Sequence, residues 1–266
     1  IVPVFVGYLM GDIAKANLAS AAPALYIAMG IFALAFLVLI SITIPEPFVA
    51  HKKLSFKEDI GGPLSFRHFV LGAITIFIYV GVEVGIPNIA NLFMTNAAMD
   101  GGLEMNTTIA GTVVGTYWFL MLIGRLIGGA VGSKVSSRAM LSTVSSIAIV
   151  FVLLAIFSSA ESTVKMPVFR SDISFGFAEV PISIMFLILC GLCTSVMWGG
   201  IFNLAVEGLG KYTSAASGIF MVMVCGGGIL PALQGWIADK SSYLSSYWVI
   251  FAGILFILFY AVTGSK

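Results

Sequence analysis

The sequence predicts an all-α, polytopic membrane helix bundle, and two observations lead to this fold class. Hydrophobic residues make up 59% of the 266 residues and charged residues only 9%, which leaves too few charges to cover a water-soluble domain. The apolar residues also fall into runs of about 20 residues, the length that an α-helix needs to cross a bilayer. The chain is therefore expected to cross a membrane several times.

The longest hydrophilic stretch, residues 44–67, divides the chain. Before it, in 1–43, the end of one membrane helix precedes a complete span at 22–43, which Pro45 and Pro47 end. After it, 68–266 contains six further predicted spans. These lie at about 68–94, 108–133, 139–159, 182–206, 213–236 and 247–263.

Basic residues predict the orientation of these spans, because cytoplasmic loops carry more lysine and arginine than external ones. One side receives Lys52, Lys53, Lys57, Arg67, Lys134, Arg138, Lys211 and Lys266, and the other receives Lys15, Lys165, Arg170 and Lys240. The 44–67 loop and the C-terminus are therefore predicted to be cytoplasmic. The connections 95–107 and 160–181 are predicted to be external.

The acid Glu83 lies near the middle of its apolar run, where a carboxylate costs roughly 2.5 to 3.5 kcal/mol on insertion scales. Pro87 lies four residues later and removes the N–H that would bond the Glu83 carbonyl, so this carbonyl needs another partner. Tyr79, Glu83, Pro87 and Asn91 share one helical face, and Asn88 joins them if the turn unwinds. Either this face lines a water-filled pathway, or Glu83 bridges two helices.

The second span after the loop combines a stripe of glycines with an arginine and two aromatic residues. Gly124 and Gly128 belong to the stripe, whose spacing lets two helix backbones touch. Arg125 is expected to reach the interface or to bridge helices, or else to bind substrate. Tyr117 and Trp118 lie in mid-span, so they either stack on a ligand ring or pack in the core.

Trp198 is followed by Gly199, Gly200 and then Asn203. An indole beside amide groups is typical of sugar recognition, since sugar C–H faces stack on aromatic rings while hydroxyls need donors and acceptors. The two glycines permit either close approach of a neighbour or a local break in the helix. This cluster indicates a sugar only weakly by itself.

A second interruption is predicted at Gly226, Gly227 and Gly228, which are followed by Pro231 and Gln234. Broken helices at membrane depth are tolerated where the backbone lines a cavity or packs on protein. These residues are therefore candidates for a structural or gating role.

Several classes of function are excluded. Cys190 and Cys193 form a C-x-x-C pair without further ligands, and His51 and His68 lie outside the membrane core, so we predict no metal site and no cofactor. No nucleophile, base and orienting group share matched faces, so we predict no enzyme. No basic cluster with interleaved aromatics indicates nucleic acid. The chain begins at Ile1 inside an apolar run and reads as a fragment.

Four stretches, in order and over nearly the whole chain, resemble the fucose:proton symporter and glucose/galactose transporter family of the major facilitator superfamily. They are YVGVEVGI at 79–86, YW at 117–118 with GRLIGG at 124–129, IFNLAVEGLGKYTSAASG at 201–218, and GGGILPALQGWIAD at 226–239. Members of this family have twelve helices in two halves. The resemblance thus implies helix six and the end of helix five in 1–43, the central loop in 44–67, and the second six-helix half in 68–266.

The resemblance also implies a function and a site. The family imports sugars by alternating access, with protons or, in some members, sodium. Glu83, Asn88 and Asn91 would then form the seventh-helix wall of the sugar cavity, and Trp198 would be the tenth-helix aromatic. Relatives usually follow that aromatic with Pro-Thr, whereas Gly199-Gly200 stands here. The acids assigned to proton coupling lie in the first half of the family's fold.

The sequence therefore predicts an importer of a monosaccharide by cation symport, with a proton favoured over sodium. Its expected partners are the sugar, the lipid bilayer and the first half of the same protein, in a bacterial inner membrane. The predicted substrate residues are Glu83, Asn88, Asn91, Tyr117, Trp118, Trp198 and Asn203. The predicted structural or gating residues are Gly124, Arg125, Gly128, Gly226, Gly227, Pro231 and Gln234. A sugar sensor of the same fold, or a symporter of another solute such as an amino sugar, remains the alternative.

Overall fold

The computed structural model describes residues 18–42, 61–159, 162–170 and 174–266, and most of these residues are helical. The first helix, α1, runs over Leu18–Ser41, close to the predicted span at 22–43. The predicted helix end before residue 11 and most of the 44–67 loop lie outside the described residues. The next three helices are α2 (Arg67–Thr95), α3 (Thr107–Val131) and α4 (Ser137–Phe157).

Two of the three remaining membrane spans are interrupted helices. They consist of α5 (Ile182–Thr194) with α6 (Met197–Val206), α7 (Thr213–Met223) with α8 (Gly226–Lys240), and α9 (Tyr243–Phe259), which continues as a π-helical turn (Tyr260–Gly264). In the part of the chain after residue 60 that the structure describes, six stretches are long and apolar enough to cross a membrane. This confirms the six spans predicted after the loop.

Local sequence explains where several helices begin. The side chain of Asn106 accepts a hydrogen bond from the Thr108 N–H at the start of α3. Ser136 and Ser242 likewise accept from the backbone N–H groups of Ala139 and Ser245, at the starts of α4 and α9. Each cap satisfies a donor that the first helical turn leaves without a partner, so the helix start is fixed by a single side chain.

Helix α2 lies at the centre of the described bundle and packs against α8, α9 and α6. The contact between α8 and α2 requires glycine at position 226, because a β-carbon there would lie 2.0 Å from the Phe77 carbonyl oxygen. A β-carbon at Gly81 would likewise lie 2.3 Å from the Leu230 side chain. Close packing at these two glycines therefore holds α8 against α2.

The connection 160–181, which is predicted to be external, contains an antiparallel hairpin that the sequence reading did not predict. Strand β1 (Thr163–Phe169) pairs with β2 (Phe175–Pro181). The Phe169 N–H donates to the Thr116 hydroxyl at 2.9 Å, and the Phe169 ring stacks on Phe119 with centroids 4.8 Å apart. Pro167 and Gly176 lie within the strands, and both residue types are poor indicators of strands.

Candidate functional site

The buried acid of α2 forms an ion pair with the arginine of α3. A terminal guanidinium nitrogen of Arg125 donates to the Glu83 carboxylate at 3.3 Å. The Glu83 side chain is 15% exposed, whereas Arg125 is 56% exposed, so the acid lies in the bundle and the guanidinium at the edge of a cavity. The sequence analysis considered a helix-bridging role for Glu83 and one for Arg125. The structure contains this bridge, because the ion pair joins α2 to α3.

Pro87 and Tyr117 together explain how the Glu83 backbone is satisfied. Helix α2 runs through Pro87 without a break, and the Tyr117 hydroxyl donates to the Glu83 carbonyl at 3.1 Å. This hydroxyl replaces the N–H that proline lacks. Because the turn does not unwind, Asn88 remains exposed and does not join the polar face.

A buried network of hydroxyl groups connects α2, α3 and the end of α5. The Tyr79 hydroxyl donates to the Thr194 carbonyl at 3.1 Å, and the Thr194 hydroxyl lies 3.0 Å from that of Tyr117. Both tyrosines and Thr194 have no exposed surface. Buried polar groups that are satisfied in this way fix the relative position of the elements that carry them. The network therefore holds the three helices in one register around Glu83.

The break between α5 and α6 lies next to this network. It falls at Ser195 and Val196, before Trp198, while Gly199 and Gly200 are helical. Two α3 glycines lie against these two residues. A β-carbon at Gly124 would lie 2.2 Å from the Ser195 hydroxyl oxygen, and one at Gly128 would lie 2.2 Å from a Val196 methyl group. The close-approach role predicted for the α3 glycines thus has a definite partner, which is the broken segment.

A cavity of about 580 Å³ opens beside the ion pair, between α3, the start of α4, and α6. Its polar lining includes Arg125, Ser137, Ser195 and Asn203, and Trp198 supplies an aromatic wall. The Trp198 ring contacts Tyr79 edge-on, with centroids 6.1 Å apart. Glycines form much of the remaining wall, so a ligand can approach the helix backbones closely. The cavity is of the size that small ligands occupy.

The structure brings only some of the predicted substrate residues to this cavity. Trp198 and Asn203 line it, and Glu83 reaches it through Arg125. Tyr117 is buried behind it, with Trp118 edge-on at 5.3 Å. Asn88, exposed on α2, and the half-buried Asn91 are not part of its lining. The substrate roles of all these residues stay predictions.

The residues predicted for gating in the fifth span after the 44–67 loop have packing contacts in this structure. The helix interruption falls at Val224 and Cys225, and α8 begins at Gly226 and contains Pro231. Gln234 is fully buried, and its amide nitrogen lies 3.5 Å from the Ser246 hydroxyl. A β-carbon at Gly227 would lie 2.8 Å from Val80.

Three residues of the site escaped sequence reasoning. Thr194 ends α5 after a run of apolar residues, Ser195 lies in the helix break that follows, and Ser137 begins α4. Serine and threonine are common in membrane helices, where they bond a carbonyl one turn back. No local signal distinguishes those that also contact another helix. Among the described residues, no group of histidine, cysteine and acidic side chains could hold a metal ion.

The comparison with curated proteins finds transporters. The chain is 30% identical over 213 residues to the glucose/galactose transporter of Brucella abortus (strain 9-941), covering 80% of this chain and 46% of that protein. It is 27% identical over 247 residues to a putative glucose/galactose transporter of Helicobacter pylori (strain J99), covering 91% and 54%. It is 22% identical over 192 residues to the L-fucose-proton symporter of Escherichia coli K12, covering 71% and 38%.

The solved structures give the same fold. The crystal structure of FucP, a major facilitator superfamily transporter in the outward conformation, matches with a TM-score of 0.69 and 20% identity. The match covers 93% of this chain and 55% of FucP. No family model matches the sequence. The chain spans about half the length of the glucose/galactose transporters that it matches.

The six spans, with interrupted helices around a polar cavity, are those of a half of the major facilitator fold. The chain is an integral membrane protein with the fold of that superfamily. In sequence, it is similar to the glucose/galactose transporters and to the L-fucose-proton symporter. These relatives are transporters, in agreement with the prediction that the chain is not an enzyme.

Proposed function

We propose that the full-length protein imports a monosaccharide together with a cation, a proton in preference to sodium, by alternating access. The observation that carries the proposal is the Glu83–Arg125 ion pair beside Trp198, at a cavity of about 580 Å³. Sugar hydroxyls donate to a carboxylate and accept from a guanidinium, while the apolar face of a pyranose stacks on an indole. The names of the relatives support the same class of substrate.

The proposed mechanism is a rocking motion of this half against the preceding half of the same protein, around a sugar bound between them. In this proposal the bilayer is the bacterial inner membrane, and the 44–67 loop and the C-terminus face the cytoplasm. The interrupted spans α5–α6 and α7–α8 give the half its points of bending, since their breaks lie beside Gly124, Gly128 and Gly226.

Uptake of radiolabelled glucose, galactose, fucose and N-acetylglucosamine tests this proposal in cells that express the full-length gene. Accumulation of one sugar that collapses with a proton ionophore, and does not depend on sodium, is the expected result. Sodium dependence would replace the proton as the coupling ion. Binding of a sugar without accumulation would favour a sensor of the same fold, and no binding of any sugar would contradict the proposal.

A further inference from the structure

The hairpin of β1 and β2 extends along helix α3 for several turns. Near the start of this helix, Thr108 and Glu179 line the same cavity, so one end of the hairpin lies there. At the other end, the Phe169 N–H donates to the Thr116 hydroxyl at 2.9 Å. The part of α3 from its start at Thr107 to Thr116 is about 13 Å long. The hairpin therefore reaches well below the end of the helix.

This deep end of the hairpin lies near the level of the buried acid. Tyr117, the residue after Thr116, donates to the Glu83 carbonyl in the middle of α2. Among the described residues, β1 and β2 pair with each other and with no further strand, so each has one open edge. Open strand edges at membrane depth occur against protein or a water-filled space, but not against lipid tails. The hairpin is therefore expected to lie in water or protein.

A second cavity, of about 500 Å³, lies between the hairpin and α3. Its polar lining consists of Thr108, Thr112, Arg170 and Glu179, and the 71% exposed Phe177 adds an aromatic ring. The other lining residues are apolar. Because charged and hydroxyl groups need hydrogen-bond partners, a cavity with this lining contains water or a polar ligand. Both of its walls belong to elements of this half of the fold.

A glycine determines where the arginine of this cavity lies. Arg170 directly follows β1, and a β-carbon at Gly176 on β2 would collide with its guanidinium. The guanidinium can therefore lie across β2 at the cavity, where its N–H groups are donors. The Glu179 carboxylate is an acceptor, and its Oε1 already accepts from the Thr163 hydroxyl at 2.9 Å. The cavity thus offers both donors and acceptors beside an aromatic ring.

This cavity is separate from the one beside Glu83. The two cavities share no lining residue. Thr112, which lines the second cavity, and Arg125, which lines the first, are about 20 Å apart along the axis of α3. A single monosaccharide is too small to contact both residues. A ligand in the second cavity would therefore occupy a site of its own.

We infer that the cavity between the hairpin and α3 is a second binding site for a hexose, on the predicted external side of the membrane. The inference rests on the proposed function, which supplies the class of solute. The sugar hydroxyls bond Arg170, Glu179 and the two threonines, and an apolar face of the sugar ring packs against Phe177.

Thiol accessibility tests this site in the full-length protein, in right-side-out membrane vesicles. The background has its exposed cysteines, Cys225 among them, replaced by serine. Thr108→Cys is treated with a charged, membrane-impermeant methanethiosulfonate reagent, with and without glucose or galactose. We expect the thiol to react, and a hexose at about ten times its half-protecting concentration to slow the reaction about tenfold. Lys165→Cys, exposed on β1 but not part of the lining, is the control and should react equally fast with and without hexose.

Further substitutions separate this site from the transport cavity. Arg170→Gln and Phe177→Ala are each expected to raise the half-protecting hexose concentration about fivefold or more, because each removes a contact with the sugar. Glu83→Gln should leave the protection of Thr108→Cys in place. Lys165→Gln is the matched control for the loss of one positive charge from the hairpin, and should not change the half-protecting concentration.

The outcomes distinguish this inference from the proposed function. If the vesicles take up hexose but Thr108→Cys does not react, or reacts equally fast with and without hexose, the inference is wrong and the proposed function stands. Loss of protection in the Glu83→Gln background would also overturn the inference, because the protection would then arise from the transport cavity. Protection without hexose uptake contradicts the proposed transport and leaves the second site standing. Absence of both uptake and protection contradicts both.

Discussion

The spans Arg67–Thr95 and Gly210–Lys240 touch each other but differ in their surroundings. In the most apolar window of the first, 61% of the residues are buried, against 17% in the second. The buried span carries Glu83, whose carboxylate, carbonyl and neighbouring hydroxyls all find partners. The exposed span presents large apolar side chains such as Met221, Val222 and Trp236 instead. Charge is tolerated where the bundle itself supplies partners.

The same comparison applies to glycine. Gly226 belongs to the exposed span but faces the buried one, where a β-carbon would lie 2.0 Å from the Phe77 carbonyl oxygen. Gly228, two residues later, has no neighbouring atom within 4 Å of such a β-carbon. Two glycines that lie two residues apart in one helix thus have different physical roles, and substitution separates them.

The largest effect is expected from Gly226→Val. The added side chain must push α8 away from α2, which should lower the free energy of unfolding by about 3 kcal/mol or more. Gly228→Val is the matched control and should change it by less than about 1 kcal/mol.

Both variants are compared by thermal unfolding in detergent with a thiol-reactive dye. The buried thiols of Cys190 and Cys193 report unfolding, in a background where the exposed Cys225 is serine. Similar melting temperatures for the two variants would contradict the packing account.

A smaller loss is expected when the partner of the Glu83 carbonyl is removed. Tyr117→Phe deletes the hydroxyl that donates to this carbonyl at 3.1 Å, and an unsatisfied buried carbonyl costs about 1–3 kcal/mol. Tyr26→Phe, at a tyrosine that is 70% exposed on α1, is the control and should have no measurable effect. The same dye assay measures both variants.

A substitution at Pro87 tests why the Tyr117 hydroxyl is needed. Pro87→Ala restores a backbone N–H that can bond the Glu83 carbonyl, so the Tyr117 hydroxyl becomes less important. In a double-mutant cycle, Tyr117→Phe should therefore cost about 1 kcal/mol less in the Pro87→Ala background than alone. Strict additivity of the two substitutions would show that the tyrosine and the proline act independently.

The smallest effect concerns the hairpin of β1 and β2. Thr116→Val removes the hydroxyl that accepts from the Phe169 N–H at 2.9 Å, which should cost about 1 kcal/mol. Faster hydrogen exchange at the Phe169 amide is the expected result. Thr112→Val is the control, because its hydroxyl donates to the Thr108 carbonyl of its own helix. Equal exchange in both variants would mean that the hairpin does not depend on this bond.

Periodicity and composition were sufficient to predict most of the fold. Apolar runs gave the spans after the loop, and the cap residues Ser136 and Ser242 explain helix starts near the predicted ones. The hairpin was missed because its strands are short and contain Pro167 and Gly176. The sequence left open whether Gly199 and Gly200 break the helix. In the structure both are helical, and the break falls before Trp198, at Ser195 and Val196, where Gly124 lies against Ser195.

The site could be predicted only in part. Glu83 and Arg125 stood out because a charge at membrane depth is costly, and each was already considered as a helix-bridging residue. Their pairing with each other, and the links from Tyr79 and Tyr117 to Thr194, depend on how helices distant in sequence face one another. Asn88 was predicted to join the polar face if the turn at Pro87 unwinds. In the structure α2 continues through Pro87, and this amide is exposed.

The most direct test of the account is equilibrium binding of radiolabelled glucose and galactose to the purified full-length protein, compared with its Glu83→Gln and Glu207→Gln variants. The account predicts that the protein binds at least one of these hexoses, that Glu83→Gln weakens this binding by about tenfold or more, and that Glu207→Gln leaves it unchanged. Hexose binding by a folded Glu83→Gln variant as tight as that of the unaltered protein would contradict the assignment of the sugar site to the Glu83–Arg125 pair.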